Sequence, residues 1–263
     1  MLKKLIKYDL TYQQKALSVF YVLALLFALL TRLFFSLEQS FLINLLGQIC
    51  TGATISMIVN ILINNTLRFW VRFKDHLYGD LSYLTHTLPV KKTTHYLAKF
   101  TAGVISMFIS MAVIVLSLLV AYYSKENFTA LKALLFPLGE TTGVHWWGLL
   151  LLMVVLIFLE LVHLLQSGFG GTVLGHKNNQ HKILLSMVCG GALYFAGQTV
   201  AFLPVAVGML FSQGLRDLLV VGAVVTPQAL ITLLWLAIVG YVLLTPLMAF
   251  INAKLLAQGV NVD

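Results

Sequence analysis

The stretch 97-LAKFTAGVISMFISMAVIVLSLLVAYY-123 decides how the chain is read. Its only formal charge is Lys99, and it closes on Tyr122 and Tyr123. A helix rises 1.5 Å per residue, so such a run is long enough to cross the roughly 30 Å hydrocarbon core of a bilayer. The paired tyrosines then fall where amphipathic rings favour the headgroup layer. Working outward, five further apolar runs recur. Spans are expected at 16–35, 41–63, 97–123, 146–167, 183–203 and 228–252. Trp146 and Trp147 open the fourth of these, and Trp70 follows the second.

Composition agrees. The chain has 263 residues, of which 60% are hydrophobic and 10% charged, and its mean hydropathy is +0.94. Soluble domains carry about 25% charged residues. The expected fold class is an all-α membrane protein with six transmembrane helices, forming one domain over residues 1–263. The start, 1-MLKKLIKYDLTYQQ-14, sets lysines between Leu2, Leu5, Ile6 and Leu10 in helical phase, with no small-residue cleavage site. It reads as an interfacial amphipathic helix over 1–15 rather than a signal peptide. Near the other end, two short apolar pieces flank 212-SQGLRD-217. Neither is long enough to cross, and both are too apolar for a plain loop, so a re-entrant hairpin on the outer face is expected over 204–227.

Charge fixes an orientation. With the N-terminus inside, the cytoplasmic pieces hold Lys3, Lys4, Lys7, Lys15, Arg68, Arg72, Lys74, Lys91, Lys92, Lys99, Lys177, Lys182 and Lys254, which is 13 of the 17 basic residues. Arg32, Lys125, Lys132 and Arg216 remain outside. That is the positive-inside bias of a multi-pass protein with both termini in the cytoplasm. The net charge of +8 is thereby topological, and no nucleic-acid partner is implied. Cys50 and Cys189 lie in apolar runs and read as small core hydrophobes.

Engines and catalytic motifs are missing. The glycine-rich piece 168-GFGGTVLGHKNNQHK-182 lacks the Lys-Ser/Thr pair of a phosphate loop and follows a span, not a strand. Neither HExxH nor GxSxG occurs. No cofactor or metal is expected on this chain, and the chain is not expected to be an enzyme. Glu160 and His163 stand out, because ionisable groups inside a span are costly. Three residues apart, they share a helical face and are placed to pair. With Gln198 they are the candidate pathway-lining residues. The bland alternative is a structural polar pair, and interhelical hydrogen bonding alone accounts for Gln198. If they instead carry protons, the chain is an ion-gradient-driven secondary transporter or channel. An intramembrane enzyme or its scaffold is a third, weaker reading.

Between the second and third spans greasiness gives way to 76-HLYGDLSYLTHTLPVKK-92. On a helix over 76–88, Leu77, Leu81, Leu84 and Leu88 form an apolar stripe at i, i+4, i+7 and i+11. His76, Asp80, Ser82 and His86 take the other side, with Tyr78 and Tyr83 flanking. Pro89 ends the run, since the residue before a proline is pushed out of helical geometry. An amphipathic helix lying along the cytoplasmic membrane face is expected.

The block 83-YLTHTLPVK-91, followed by 97-LAKF-100, resembles the signature of small ABC-2 type permeases of Gram-positive bacteria. The N-terminal MLKKLIKYDL and Arg32 near the end of the first span are similar to the same family. Within it, the narrower resemblance is to the permease of the phenol-soluble modulin exporter, which ejects amphipathic helical peptides. The resemblance implies a half-transporter in the cell membrane, dimeric with a second copy or a paralogue. It also implies a separately encoded ABC ATPase that supplies ATP and Mg. The helix between spans two and three becomes the coupling helix, with Tyr78, Asp80, Leu81, Tyr83, Leu84, His86 and Leu88 meeting the ATPase. Implied cargo is an amphipathic peptide, of toxin, bacteriocin or antimicrobial type, or a lipid-like molecule. The tail 253-AKLLAQGVNVD-263 departs from the family in being less basic.

Overall fold

The computed structural model describes residues 1–37, 40–178, 180–221 and 226–258, without the side chains of His86 and Val221. Every regular element among the described residues is helical. Six of the helices are long and apolar enough to cross a membrane. The chain divides into two compact units, Met1–Phe128 and Thr129–Asp263.

The first unit is built from α1 (Leu2–Ser36), α2 (Phe41–Leu77), the short α3 (Ser82–Thr87) and α4 (Lys92–Tyr122). α1 packs along both α2 and α4. Its lipid-type face carries Val19, Val22, Leu26, Leu29 and Leu33, all exposed. Its inner face carries Asp9, Gln13, Leu17, Ala24, Ala28 and Thr31, at steps of three, four and seven residues. Apolar outside and partly polar inside inverts the arrangement of a water-soluble bundle, and it is what a hydrocarbon solvent selects.

Apolar packing of Ala24, Ile61 and Ile114 fills the middle of this unit. Below it runs a polar ladder. Gln13 Nε2 donates to the Asn65 backbone oxygen and to Asn65 Oδ1, each at 3.1 Å. Asn65 Nδ2 donates to Ser110 Oγ at 2.8 Å, and Ser106 Oγ donates to Asn65 Oδ1 at 2.9 Å. Three helices are thereby tied through one asparagine. Beyond the ladder, Arg72 Nε donates to Asp9 Oδ1 at 2.6 Å, while Lys99 Nζ lies 3.5 Å from Asp9 Oδ2. Tyr12 and Tyr8 cover the guanidinium, their ring centroids 3.9 and 5.1 Å from its carbon.

These contacts explain a difference from the sequence expectation. Residues 1–15 are not a separate helix but the first turns of α1. Asp9 and Gln13 point inward to partners on α2 and α4, so the helix has no reason to turn away before its apolar part begins. α2 likewise continues 14 residues past the expected end at Ile63, because Asn65, Phe69, Arg72 and Phe73 are buried.

α5 (Lys125–Thr142) was not foreseen, since Pro137 and Gly139 interrupt its apolar positions. The second unit then contains α6 (Trp146–Gly175), α7 (Lys182–Phe211), α8 (Gln213–Arg216) and α9 (Pro227–Ala257). A π turn over Asp217–Val221 follows α8. α6 packs on α7 and α9, and α7 on α9. Close approach here depends on small residues. A Cβ on Gly240 would collide with the Ala201 carbonyl, and one on Gly171 would meet the backbone of Gly190. Small residues that admit such backbone contact are the usual means of helix association in lipid.

The expected outer hairpin at 204–227 takes another form. Residues 204–211 are the last two turns of α7, which runs through Pro204 without a break. Arg216 donates twice to the Met209 carbonyl, at 3.3 and 3.2 Å, and Ser212 Oγ accepts from Leu215 N at 3.3 Å. The chain therefore turns at Ser212, not at Pro204. Residues 222–225 of the expected second arm lie outside the described set. Thr226 then caps α9 by accepting from Ala229 N.

Candidate functional site

Two places carry the residues singled out by sequence, and each lies within one unit. The first is the link between α2 and α4. His76 and Leu77 are the last residues of α2, and helix resumes only at Ser82. The break has a local cause. The backbone N–H groups of Tyr78 and Gly79 both donate to the Lys74 carbonyl, at 2.8 and 3.2 Å. Gly79 also sits so close to Asp75 that a Cβ would lie 3.0 Å from its Cα. The expected continuous helix over 76–88 is thus a helix end, a tight turn and a six-residue helix.

This break redistributes the leucine stripe. Leu77 is fully buried with α2, whereas Leu81 and Leu88 are 44% and 39% exposed. Tyr83 and Leu84 are 71% and 69% exposed. Ser82, expected on the outer side, is buried, and so is Thr85. Asp80 is exposed and Tyr78 half-buried. Burial pushes the Tyr78 phenol above its usual range, so it stays neutral. The His86 side chain lies outside the described set. Among the described side chains the outward surface of the link is therefore mainly apolar and aromatic, with Asp80 and Thr87 beside it, where the spacing suggested a polar outer side.

The second place surrounds Glu160, on α6. Tyr194 OH and Gln198 Nε2, one turn apart on α7, donate to Glu160 Oε1 at 2.5 and 2.6 Å. Tyr241 OH, from α9, reaches Glu160 Oε2 and also Gln198 Oε1, the latter at 2.6 Å. Among the described residues no cation pairs with this carboxylate. It is held by neutral hydroxyl and amide groups, which supply the hydrogen bonds a charge needs when lifted out of water. Comparison with protein-family models, with curated proteins and with solved structures finds no match. Meaning must therefore come from the geometry itself.

His163 does not pair with Glu160. Its Nε2 meets the Tyr194 carbonyl at 3.2 Å, which places the ring proton there, and its ring stacks on Tyr194 at 5.4 Å. Gly197 makes room for it, since any Cβ at that position would strike the imidazole. Glu160 and His163 share a helical face, as expected, but each is engaged by a different atom of Tyr194. Tyr194 and Tyr241 were missed because each lies alone inside an apolar span, where no local pattern shows a partner on another helix. The i, i+4 relation of Tyr194 to Gln198 was the available signal.

Glu160, Gln198 and Tyr241 line a cavity of about 440 Å³ whose other walls are Leu156, Ile157, Leu161, Ala201, Phe202, Val205 and Ala237. One polar strip faces an otherwise apolar recess. His163 lies behind that wall, not in it. No group of three or more His, Cys, Asp or Glu suited to a metal occurs among the described residues.

Proposed function

We propose that this chain is the membrane subunit of an ATP-driven ABC exporter of the ABC-2 permease type. It works in a bacterial cell membrane with a second copy or paralogue, and with a separate ATPase that carries ATP and Mg. The observation that supports this reading is the exposed patch of Leu81, Tyr83, Leu84 and Leu88 on the short link between the second and third spans. Charge bias puts that link on the cytoplasmic side. Exposed aromatic and aliphatic side chains on a short, tightly turned segment suit insertion into a protein groove. Movement of the ATPase would push this link, and through the unbroken α2 shift the helix bundle, as in other rigid-body switches. The chain itself hydrolyses nothing.

The cargo proposed is an amphipathic peptide or a lipid-like molecule, because the cavity at Glu160 offers a single polar strip in an apolar surface. A second reading, a transporter driven by an ion gradient through Glu160, draws support from the lack of a cationic partner for that carboxylate among the described residues. The two separate cleanly. Tagged full-length chain is extracted from its source membranes in mild detergent, and ATP hydrolysis in the eluate is measured with and without amphipathic helical peptides. Co-purified hydrolysis that rises with peptide is expected. An eluate without ATPase, together with gradient-driven peptide uptake in liposomes holding the chain alone and lost in Glu160→Gln, would replace the first reading by the second.

A further inference from the structure

The first unit contains a second recess, whose charged lining the proposed transport function does not use although the leucines of the link form part of its wall. Asp9, Arg72 and Lys99 form a buried group with one negative and two positive formal charges, so it carries an unmatched positive charge. Lys99 is 4% and Arg72 9% exposed. Arg72 spends Nε on Asp9, and its Nη2 has no hydrogen bond among the described residues. Lys99 Nζ has Asp9 Oδ2 at 3.5 Å as its ionic neighbour, the outer limit of a hydrogen bond, and no closer partner among the described residues. Leaving charged donors unsatisfied in a dry interior is costly, and an ammonium offers three of them.

Both residues line recesses, with their unbonded nitrogens buried in the wall. Lys99, with Asp9, Tyr8, His76, His95 and Thr85, lines a recess of about 200 Å³ whose remaining walls include Leu5, Leu81, Leu84 and Leu88. Arg72 lines a neighbouring recess of about 260 Å³, which shares His76 and Leu81 with the first. Facing acids are few: Asp9 in the first recess and Asp75 in the second, the latter 3.1 Å from Lys74.

We infer that the recess at Lys99 binds the phosphate group of an anionic phospholipid of the cytoplasmic leaflet. The phosphate would complete the unmatched charge at Lys99, with the His76 and Thr85 side chains on the wall beside it. The leucines at the mouth would lie along the acyl chains. Basic pockets between helices on the cytoplasmic side have this chemistry. Three of those leucines belong to the link between α2 and α4, so the bound lipid would brace the link from beneath. The inference stands on the first unit alone and does not depend on an ATPase.

Full-length chain in detergent is titrated with phosphatidylglycerol, phosphatidylcholine or diacylglycerol, and retained lipid is counted by native mass spectrometry. About one phosphatidylglycerol per chain is expected, with diacylglycerol not retained. Lys99→Met should weaken retention at least about tenfold, the value of one charge-assisted bond, and Lys99→Arg should restore it. In case Lys99→Met misfolds, Leu84→Glu and Leu84→Gln test the exposed mouth. The acidic variant should lose phosphatidylglycerol and the amide should keep it. Equal retention by wild type, folded Lys99→Met and Leu84→Glu overturns the site. Displacement of the lipid by millimolar inorganic phosphate would also overturn the lipid assignment, because the recess would then be reading phosphate alone.

Discussion

Both units hold a carboxylate between helices, Asp9 buried and Glu160 half-buried, and they satisfy it by opposite means. In the first, Asp9 meets Arg72 and Lys99, charge against charge, with tyrosine rings over the guanidinium. In the second, Glu160 meets Tyr194, Gln198 and Tyr241, all neutral. The helices around them differ in the same sense. The first unit is laced by a polar ladder through Asn65, whereas the second brings backbones together at Gly171 and Gly240. The charged cluster is fixed by long-range attraction that any change of charge would upset. The neutral cluster is held by short, directional bonds beside an open cavity, and it can exchange a partner without stranding an opposite charge. That contrast suits a frame in one unit and a cargo-facing surface in the other.

The contrast is open to attack by mutation. Asp9→Ala should have the largest effect on stability, about 3–5 kcal/mol, because it leaves two buried cations uncompensated. Unfolding of the detergent-solubilised chain by sodium dodecyl sulfate would measure it. A loss below about 1 kcal/mol would mean that the cluster is already neutralised by something other than Asp9. Gly240→Ala comes next, at roughly 1–3 kcal/mol, since one methyl must displace the Ala201 carbonyl. The same assay reads it, and a neutral result would show that α7 and α9 are less tightly apposed than their backbones indicate.

Glu160→Gln should cost about 1 kcal/mol or less, because the amide oxygen still accepts from Tyr194 and Gln198, the amide NH2 can donate to the Tyr241 hydroxyl, which keeps Gln198 Oε1 as its acceptor, and no opposite charge is left behind. If it destabilised the chain as much as Asp9→Ala, the distinction between a fixed and an exchangeable carboxylate would fail. The predicted consequence lies in cargo handling. Peptide stimulation of co-purified ATP hydrolysis should change, while hydrolysis without peptide should not.

Six spans were legible because length and apolarity are properties of the sequence itself, and all six helices begin or end near the expected residues. What lay beyond the hydrocarbon was harder to see. α2 extends to Leu77 because Arg72 and Phe73 are buried by other helices, a tertiary fact that no local pattern records. Arg72 and Lys99 were read as topological charges. Their meeting with Asp9 joins residues 63 apart in one case, which only packing reveals. At the link, periodicity was a misleading guide. Gly79 and the double acceptor at Lys74 broke the helix, and the break turned Leu81, Tyr83 and Leu84 outward. Around Glu160 the sequence showed a costly acid and one polar neighbour, Gln198. It did not show that tyrosines on two other helices converge on the same carboxylate.

Those outward residues give the smallest effect on folding and the most direct test. Tyr83→Ala with Leu84→Ala removes exposed side chains, so stability should stay within about 0.5 kcal/mol of wild type. The decisive measurement is ATP hydrolysis co-purifying with the tagged chain, compared between wild type and this double variant at equal amounts of folded protein. Force delivered through the link predicts that the variant loses peptide-stimulated hydrolysis while its unfolding curve is unchanged. Hydrolysis and stimulation equal to wild type would contradict the account.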